Sequence, residues 1–268
     1  MNSKIIIHGG FFSESKTNQE IKLAKQYAMK EIVGKSYEFL KNHSALKTVV
    51  FAVELLEDCD LFNAGTGSQI QSDGKIRMSA SLMDGSAEKF SGVINIRDIK
   101  NTIRLAEKLM DCDDRVLGGD EALVFAREKG FRFYNPETPQ RRKEFEEKAH
   151  PPGTQAGYNL HRRFNPPGEG GKGTVGCVAL DKDGKIAAAT STGGKGFEIP
   201  GRVSDSATVA GNYANKFAGV SCTGVGEDIV NAALAAKIVT RITDGISLKE
   251  AVEKSFSELK KFDGFAGV

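Results

Sequence analysis

The chain has 268 residues, of which 40% are hydrophobic and 27% are charged, a composition typical of a soluble globular protein with a full core. Its 37 basic and 35 acidic residues are mixed along the sequence and leave a formal net charge of +2. No basic block is long enough to attract a phosphate backbone, so nucleic acid is not expected as a partner. Signal-peptide and membrane-helix patterns are absent, which predicts a cytoplasmic protein with no membrane partner.

The predicted elements come in blocks of strands and blocks of helices. In chain order they are a strand at KIIIHGG (4–10), helices over 17–42 and 45–58, strands over 75–85 and 90–96, and helices over 99–110, 120–130 and 231–242. A capping box at Ser247–Glu250 opens a last helix that is expected to end at Asp263–Gly264. Blocks of this kind favour layered sheets covered by helices over a doubly wound fold.

The segment 135–172, between Tyr134 and the first glycine-rich strand, has a different composition. It holds six of the seven prolines, many charges and few aliphatic side chains, which predicts a mobile surface connection. Two explanations stay open for so long a connection. It is a linker between two domains, or it is loose because the chain is cut at its end.

The stretch 171–196 predicts a β-hairpin with its turn at Asp181–Gly184, and Gly173-Thr174 precedes the first strand. A threonine hydroxyl needs a base to become a nucleophile, and a cut before Thr174 would supply the α-amine of the same residue. Such an amine titrates at about 7.7–8.0, so a useful fraction is unprotonated near neutral pH. Glycine at 173 tolerates the unusual backbone that self-cleavage requires. The alternative is an ordinary strand start.

The four cysteines are far apart and form no C-x-x-C pair. With only four histidines in the chain, this spacing argues against both a disulfide framework and a zinc site. We expect inert, mostly buried thiols.

Five short motifs follow one another along the chain: HGG (8–10), LFNAGTG (61–67), GTVGCVALDKDGKIAAATSTGG (173–194), PGRVSDS (200–206) and VSCTGVGED (220–228). Taken together and in this order, they resemble the plant-type asparaginase and isoaspartyl peptidase family of N-terminal-nucleophile (Ntn) hydrolases. The resemblance implies an α+β fold, a single αββα sandwich domain over residues 1–268. It also implies a cut into an α subunit (1–173) and a β subunit (174–268), assembled as a dimer of αβ heterodimers.

The resemblance also implies the catalytic residues. Thr174 corresponds to the nucleophile, and Thr192 to a second threonine that hydrogen-bonds near it. Asn63 corresponds to an asparagine beside the nucleophile, while Thr223 and Gly224 correspond to the donors that meet charge on the tetrahedral intermediate. For Thr192 and Asn63, a turn threonine and a loop asparagine are the alternatives.

Substrate binding is implied for five residues: Arg202, Asp205, Thr223, Gly224 and Gly226. Arg202 corresponds to the residue that binds the α-carboxylate of the substrate, and Asp205 to the residue that binds its α-amine. An arginine fork suits a carboxylate and an aspartate suits an ammonium, so the pair fits an amino-acid-like substrate. A surface ion pair without function is the alternative.

The family also binds a sodium ion through main-chain carbonyls around the Asn-Ala-Gly turn. The corresponding positions are Leu56, Glu57, Cys59, Phe62, Ala64 and Thr66. Oxygen ligands suit a hard cation, although Asp60 stands where the family often has proline. No other cofactor is expected.

The chain departs from the family pattern in four places. HGGFF replaces a longer glycine run, TGGKGFEIPG is unusually acidic and glycine-rich, and Ser204 stands where glycine is usual. Because Ser204 lies between two substrate-binding residues, we expect it to alter substrate preference rather than abolish activity. FDGFAGV resembles the start of a strand that continues in the family, so a fragment or shortened form is expected, with the strand near Phe265 lacking its neighbour.

The function indicated by the resemblance is an amidohydrolase. Thr174 would attack the side-chain amide of L-asparagine or the β-peptide bond of an isoaspartyl dipeptide, without a cofactor. One alternative is the same machinery acting on glycosylated asparagine or on a protein aspartyl bond. Another is an uncleaved, catalytically impaired binding protein.

Overall fold

The structure is a computed structural model that describes residues 2–10, 19–149, 173–262 and 265–268. These residues form a mixed α/β fold. The strands are β1 (Lys4–His8), β2 (Met78–Asp84), β3 (Lys89–Ile96), β4 (Val116–Gly118), β5 (Val175–Leu180), β6 (Ile186–Thr192), β7 (Asn212–Ala214), β8 (Gly219–Ser221), β9 (Thr223–Gly224) and β10 (Ala266–Gly267). The helices are α1 (Gln19–Leu40), α2 (Ala45–Glu57), α3 (Thr102–Leu109), α4 (Gly119–Glu128), α5 (Pro139–Ala149), α6 (Gly226–Ala232), α7 (Leu234–Thr243) and α8 (Leu248–Leu259), with a 3₁₀ turn at Asp205–Ala207.

The largest sheet has six strands in the order β1-β5-β6-β2-β3-β4. Its neighbours are antiparallel except for β3 and β4, which are parallel. Strand β5 therefore lies between β1 on one side and β6 on the other. Two further pairs, β7 with β8 and β9 with β10, form small antiparallel sheets.

The elements stack in layers, and the two larger apolar cores of the described residues lie between them. Helices α1, α2 and α3 pack on the large sheet, and the β7–β8 hairpin packs against β2, β5 and β6. Helix α7 covers the β7–β8 hairpin, and α8 packs on α7. One core lies under α2 and α3, where Val49, Leu56 and Ile103 are fully buried; the other lies beneath α7, where Leu234 and Ile238 are fully buried. Among the described residues, no helix combines the length and apolar character needed to cross a membrane.

The predicted hairpin is confirmed, with Val175 paired to Ser191 and Leu180 to Ile186. Its turn is closed by Asp181, whose Oδ1 accepts from the backbone N–H groups of Asp183 and Lys185, each at 3.0 Å. The other carboxylate oxygen accepts from the N–H of Ala45 at 3.0 Å, at the start of α2. One buried aspartate thus closes the turn and attaches it to a helix.

The capping box before the last helix is also confirmed on its serine side. Ser247 Oγ accepts from the N–H of Glu250 at 3.3 Å, which satisfies one of the free donors at a helix start. The helix ends at Leu259, before the predicted Asp263–Gly264, which lies outside the described residues.

Part of the predicted mobile connection is a helix. Helix α5 occupies Pro139–Ala149, and residues 150–172 lie outside the described residues. Proline suits a first helical position, and the helix is anchored where Phe145 packs on Phe197, with ring centroids 5.6 Å apart. Arg141 Nε also donates to the carbonyl oxygen of Gly67 at 2.6 Å. The prediction of a loose segment is therefore wrong for 139–149.

The helix predicted over 231–242 is broken at Ala233, which has a left-handed φ of 48°. The break has a tertiary cause. The N–H groups of Ala235 and Ala236 donate to the carbonyls of Ala210 and Val209, at 2.8 and 3.2 Å. Because these donors bond to another segment, α6 and α7 are separate helices.

The strand near Phe265 does have a neighbour, contrary to the prediction. In β10, Ala266 pairs with Gly224 and Gly267 pairs with Thr223 of β9. The N–H of Val225 also donates to the carbonyl of Phe265 at 2.8 Å. Residues 265–268 therefore lie directly beside the Thr-Gly segment that the resemblance assigns to the oxyanion.

Candidate active site

Thr174 and Thr192 lie side by side at the ends of two neighbouring strands. Thr174 immediately precedes β5 and Thr192 ends β6, so the antiparallel pairing brings them together. Thr174 Oγ1 donates to Thr192 Oγ1 at 3.1 Å. Thr192 Oγ1 also accepts from the N–H of Gly194 at 3.2 Å. The Thr174 side chain is half-buried and its hydroxyl has a fixed partner.

Asn63 binds both the residue before Thr174 and the turn after Thr192. Its N–H donates to the carbonyl oxygen of Gly173 at 3.2 Å, and its own carbonyl accepts from Gly193 at 2.9 Å. Its Nδ2 donates to the Gly194 carbonyl at 2.5 Å, and its Oδ1 accepts from the N–H of Gln69 at 2.9 Å. The backbone of Asn63 thereby holds the LFNAGTG loop against the Gly173-Thr174 bond, and its side chain holds the loop against the turn after Thr192.

The glycine at 173 is enclosed by backbone and side-chain atoms. A Cβ added there would lie 3.0 Å from Asn63 Cβ. Gly10, from the HGG motif, has a φ of +109°, and a Cβ on it would lie 2.3 Å from the Gly173 Cα. Glycine is therefore required at position 10, where the first strand passes the bond before Thr174, and Gly173 is closely packed against Asn63.

His8 connects Thr174 to Ser221 of β8, a contact that the sequence motifs do not predict. Its Nδ1 lies 3.1 Å from the Thr174 carbonyl oxygen, and its Nε2 lies 2.8 Å from Ser221 Oγ. Ser221 Oγ is also 2.6 Å from Thr190 Oγ1. Gly176 leaves space for this pair, since a Cβ there would lie 2.4 Å from His8 Nε2 and 1.9 Å from Ser221 Oγ. Burial lowers the pKa of His8 to about 4, so the ring is neutral.

Thr223 and Gly224 form β9, two residues after Ser221. Thr223 is buried, and its Oγ1 has no hydrogen-bond partner among the described residues. Gly224 has a φ of +141°, and a Cβ on it would lie 2.2 Å from the carbonyl oxygen of Phe265. Position 224 therefore requires glycine, and the Thr223 hydroxyl is a buried polar group without a partner in the described part of the chain.

Arg202 and Asp205 both border Gly226. A Cβ added to Gly226 would lie 2.4 Å from Arg202 Nη2 and 2.7 Å from Asp205 Oδ1. Arg202 donates from Nε and Nη2 to the two carboxylate oxygens of Glu227, at 2.9 and 3.0 Å. Sequence reasoning missed this ion pair, which joins positions that are far apart along the chain.

Asp205 is buried, and its Oδ2 has no hydrogen-bond partner in the described part of the chain. Burial raises the pKa of this carboxyl to about 6, against the opposing effects of the Arg202 charge and the Ser204 hydrogen bond. Ser204 Oγ donates to Asp205 Oδ1 at 3.2 Å. Ser204, which stands where the family pattern has glycine, thus binds one carboxylate oxygen of Asp205 and leaves the other without a partner in the described part of the chain.

The predicted sodium-binding positions lie at the end of α2 and in the loop that follows it. A Cβ on Gly65 would lie 2.4 Å from the Glu57 carbonyl oxygen, and a Cβ on Gly67 would lie 2.6 Å from that of Asp60 and 3.0 Å from that of Phe62, so the loop is tightly folded on its glycines. Thr66 donates its N–H to the Glu57 carbonyl at 2.8 Å. Backbone carbonyl oxygens are ligands that suit a hard cation. The loop contains the remaining predicted positions, Cys59 and Ala64, and Leu56 is in the last turn of α2.

The side chain of Glu57 has a structural role that the sequence did not indicate. It is fully buried, and its Oε1 accepts from Ser191 Oγ at 2.6 Å and from the N–H of Ile103 at 3.1 Å. Burial raises the pKa of this carboxyl to about 8. Glu57 therefore joins α2 to α3 and to the strand residue that precedes Thr192.

The four cysteines are free thiols, and Cys177 and Cys222 are buried. No cluster of three or more His, Cys, Asp or Glu side chains suited to a metal ion occurs among the described residues.

The chain is similar to known proteins over most of its length. The sequence profile of a family described as asparaginase matches residues 1–268. A Synechocystis protein named isoaspartyl peptidase/L-asparaginase is 50% identical over 262 residues, which is 96% of this chain and 78% of the relative. A Nostoc protein of the same name is 47% identical over 258 residues, 95% of this chain and 81% of the relative. A plant-type L-asparaginase from Pyrococcus furiosus is 38% identical over 266 residues, 97% of this chain and 86% of the relative.

Proposed function

The chain belongs to the asparaginase family, and we propose that it hydrolyses the side-chain amide of L-asparagine and the β-aspartyl bond of isoaspartyl dipeptides. The observation that carries this proposal is the Thr174–Thr192 hydroxyl pair at 3.1 Å, directly after a glycine. The names of the relatives, which match this chain at up to 50% identity, support the same two substrates.

The first reaction is cleavage of the chain itself. Thr174 Oγ attacks the Gly173 carbonyl carbon, the peptide C–N bond breaks as the nitrogen takes a proton, and water hydrolyses the resulting ester. The N–H of Asn63, 3.2 Å from the Gly173 oxygen, is positioned to stabilise the oxyanion formed in this step. The products are a carboxylate on Gly173 and a free α-amine on Thr174.

That amine then serves as the base for substrate hydrolysis. It accepts the proton of Thr174 Oγ, which attacks the substrate side-chain carbonyl while Thr192 orients the hydroxyl. Thr223 and Gly224 stabilise the oxyanion. Ammonia or an amino acid leaves, and water releases the aspartyl group from Thr174. Arg202 and Asp205 bind the α-carboxylate and α-ammonium of the substrate.

The loop after α2 would hold a structural sodium ion through the backbone oxygens of Leu56, Glu57, Cys59, Phe62, Ala64 and Thr66. The support for this assignment is the resemblance of these positions to the family pattern, in a loop that is tightly folded around Gly65 and Gly67. The ion would stabilise the loop that carries Asn63, and the reaction itself uses only groups of this chain.

The order of helices and sheets supports an αββα sandwich of the Ntn-hydrolase type, formed by one domain over residues 1–268. A dimer of αβ heterodimers and a cytoplasmic location remain predictions from the sequence. Light scattering on the purified protein tests the dimer.

The proposal is tested by intact-mass analysis together with ammonia release. Purified protein should convert with time to fragments 1–173 and 174–268 and should release ammonia from L-asparagine, and β-aspartyl dipeptides should be cleaved by the same preparation. Thr174→Ala should stay whole and inactive, because it has no nucleophile for either reaction. An uncut wild-type chain that still hydrolyses asparagine would contradict the mechanism.

A further inference from the structure

Arg202 is held by an acidic partner that the proposed mechanism does not use. Nε and Nη2 of Arg202 donate to the two oxygens of Glu227 at 2.9 and 3.0 Å, which is a bidentate ion pair. The Arg202 side chain is only 15% exposed, whereas Glu227 is 50% exposed. Lys195 Nζ lies 3.7 Å from Glu227 Oε1 and offsets part of its negative charge.

The ion pair leaves half of the guanidinium available. A guanidinium has five N–H donors in one plane, and Glu227 uses the edge that carries Nε and one hydrogen of Nη2. The hydrogens of Nη1 and the second hydrogen of Nη2 form another edge of the same fork. That edge can bind a second carboxylate through two parallel hydrogen bonds.

The guanidinium is also close to the group that would bind the ammonium. Arg202 Nη2 and Asp205 Oδ1 approach the same face of Gly226, where an added Cβ would lie 2.4 and 2.7 Å from them. In an α-amino acid the carboxylate and the ammonium are attached to one carbon. The plane and the rotation of the guanidinium must therefore be correct for both groups to bind together.

We propose that Glu227 is a positioning residue that fixes the guanidinium of Arg202 so that its outer edge receives the substrate α-carboxylate while Asp205 receives the α-ammonium. This inference rests on the proposed function, because it concerns the same pocket. It assigns the pocket to ligands that carry both α-groups. The positive charge of Lys195 offsets the negative charge of Glu227 and so reduces its repulsion of the substrate carboxylate.

The chain offers a matched control. Glu258 accepts from Arg241 and Lys237, and its side chain and that of Arg241 are 39% and 15% exposed, close to the values for Glu227 and Arg202. It lies on α8, away from the pocket. Glu258→Gln therefore removes the same charge from a similar ion-pair triad without touching Arg202.

The test is calorimetric binding of L-aspartate and of β-alanine, which lacks the α-carboxylate, to wild type, Glu227→Gln and Glu258→Gln. Glu227→Gln should weaken aspartate binding about tenfold, because a loosely held guanidinium binds a carboxylate less well. It should leave β-alanine affinity unchanged, and Glu258→Gln should change neither. In an Arg202→Ala background the aspartate effect of Glu227→Gln should vanish.

Equal aspartate affinity in wild type and Glu227→Gln, or tighter binding by the variant, overturns the inference; tighter binding would mean that Glu227 competes with the substrate. An unchanged effect in the Arg202→Ala background also overturns it. Ammonia release by wild type is measured in parallel. If wild type releases ammonia but Glu227→Gln binds aspartate normally, the inference fails and the proposed function stands. If aspartate binding depends on Glu227 but no ammonia is released, the proposed function fails and the inference stands.

Discussion

At the scale of single residues, the buried carboxyl of Asp205 predicts how substrate affinity depends on pH. Its pKa is raised to about 6 by burial, so below that pH the group is protonated and neutral in the free enzyme. A neutral carboxyl cannot pair with an ammonium. The KM for asparagine should therefore rise as the pH falls below about 6, by about tenfold for each unit.

The pH dependence of Asp205→Asn separates this group from others in the pocket. The variant should have a high KM that no longer changes between mildly acidic and neutral pH. Initial rates of ammonia release over a range of asparagine concentrations give KM and kcat separately, and the Thr174 amine should affect kcat at higher pH. A wild-type KM that stays flat through pH 6 would contradict the assignment.

At the scale of elements, His8 and Ser221 connect the nucleophile strand to the segment before β9. Ser221→Ala leaves His8 Nε2 and Thr190 Oγ1 without their partner, at a cost of about 1–3 kcal/mol of stability. It should also slow turnover, because β8 leads into β9, which carries the proposed oxyanion donors Thr223 and Gly224. The melting temperature and kcat are the two measurements.

Ser91→Ala is the matched control for that variant. Ser91 is a buried serine in β3 whose Oγ donates to the carbonyl of Ala106 at 2.7 Å, with no contact to Thr174. Both variants should melt at a lower temperature, and only Ser221→Ala should lose kcat. If Ser221→Ala and Ser91→Ala have the same kcat, the His8–Ser221 pair contributes to stability and not to turnover.

Elements specified by neighbouring residues could be predicted from the sequence, and those specified by distant contacts could not. The β5–β6 hairpin and the Ser247 cap depend on residues a few positions apart. Helix α5 depends on Phe145 meeting Phe197, and the break at Ala233 depends on the carbonyls of the 209–210 loop. Neither pattern is visible locally.

The same distinction applies to the site. The candidate site residues are predicted from short sequence motifs that follow the order of the family. The Glu227–Arg202 pair and the His8–Ser221 pair join positions 25 and 213 residues apart. The His8–Ser221 pair follows from how β1, β5 and β8 pack together, and the Glu227–Arg202 pair from the packing of α6 beside the 3₁₀ turn. Neither is apparent from a local sequence pattern.

At the scale of the whole molecule, the strand order predicts how the cleaved protein behaves. Strands β5 and β6 follow the cut, yet they lie between β1 and β2, which precede it. Separating the fragments requires breaking the β1–β5 and β6–β2 pairs. Fragments 1–173 and 174–268 should therefore elute as one species in size exclusion at low concentration and unfold in one transition. Two separate melting steps would contradict this.

Because strands that follow the cut lie between strands that precede it in the sheet, cleavage would change folding from a reaction of one chain to a reaction between two chains. Before the cut, β5 reaches its place between β1 and β6 within one chain, so the rate of folding does not depend on protein concentration. After the cut, the same pairing becomes an encounter between two molecules. A cleaved protein that has been unfolded therefore recovers at a rate set by its dilution, whereas the uncut Thr174→Ala chain recovers at the same rate at any dilution. If the proposed cleavage occurs, the bond before Thr174 is a temporary tether that is needed once, during assembly.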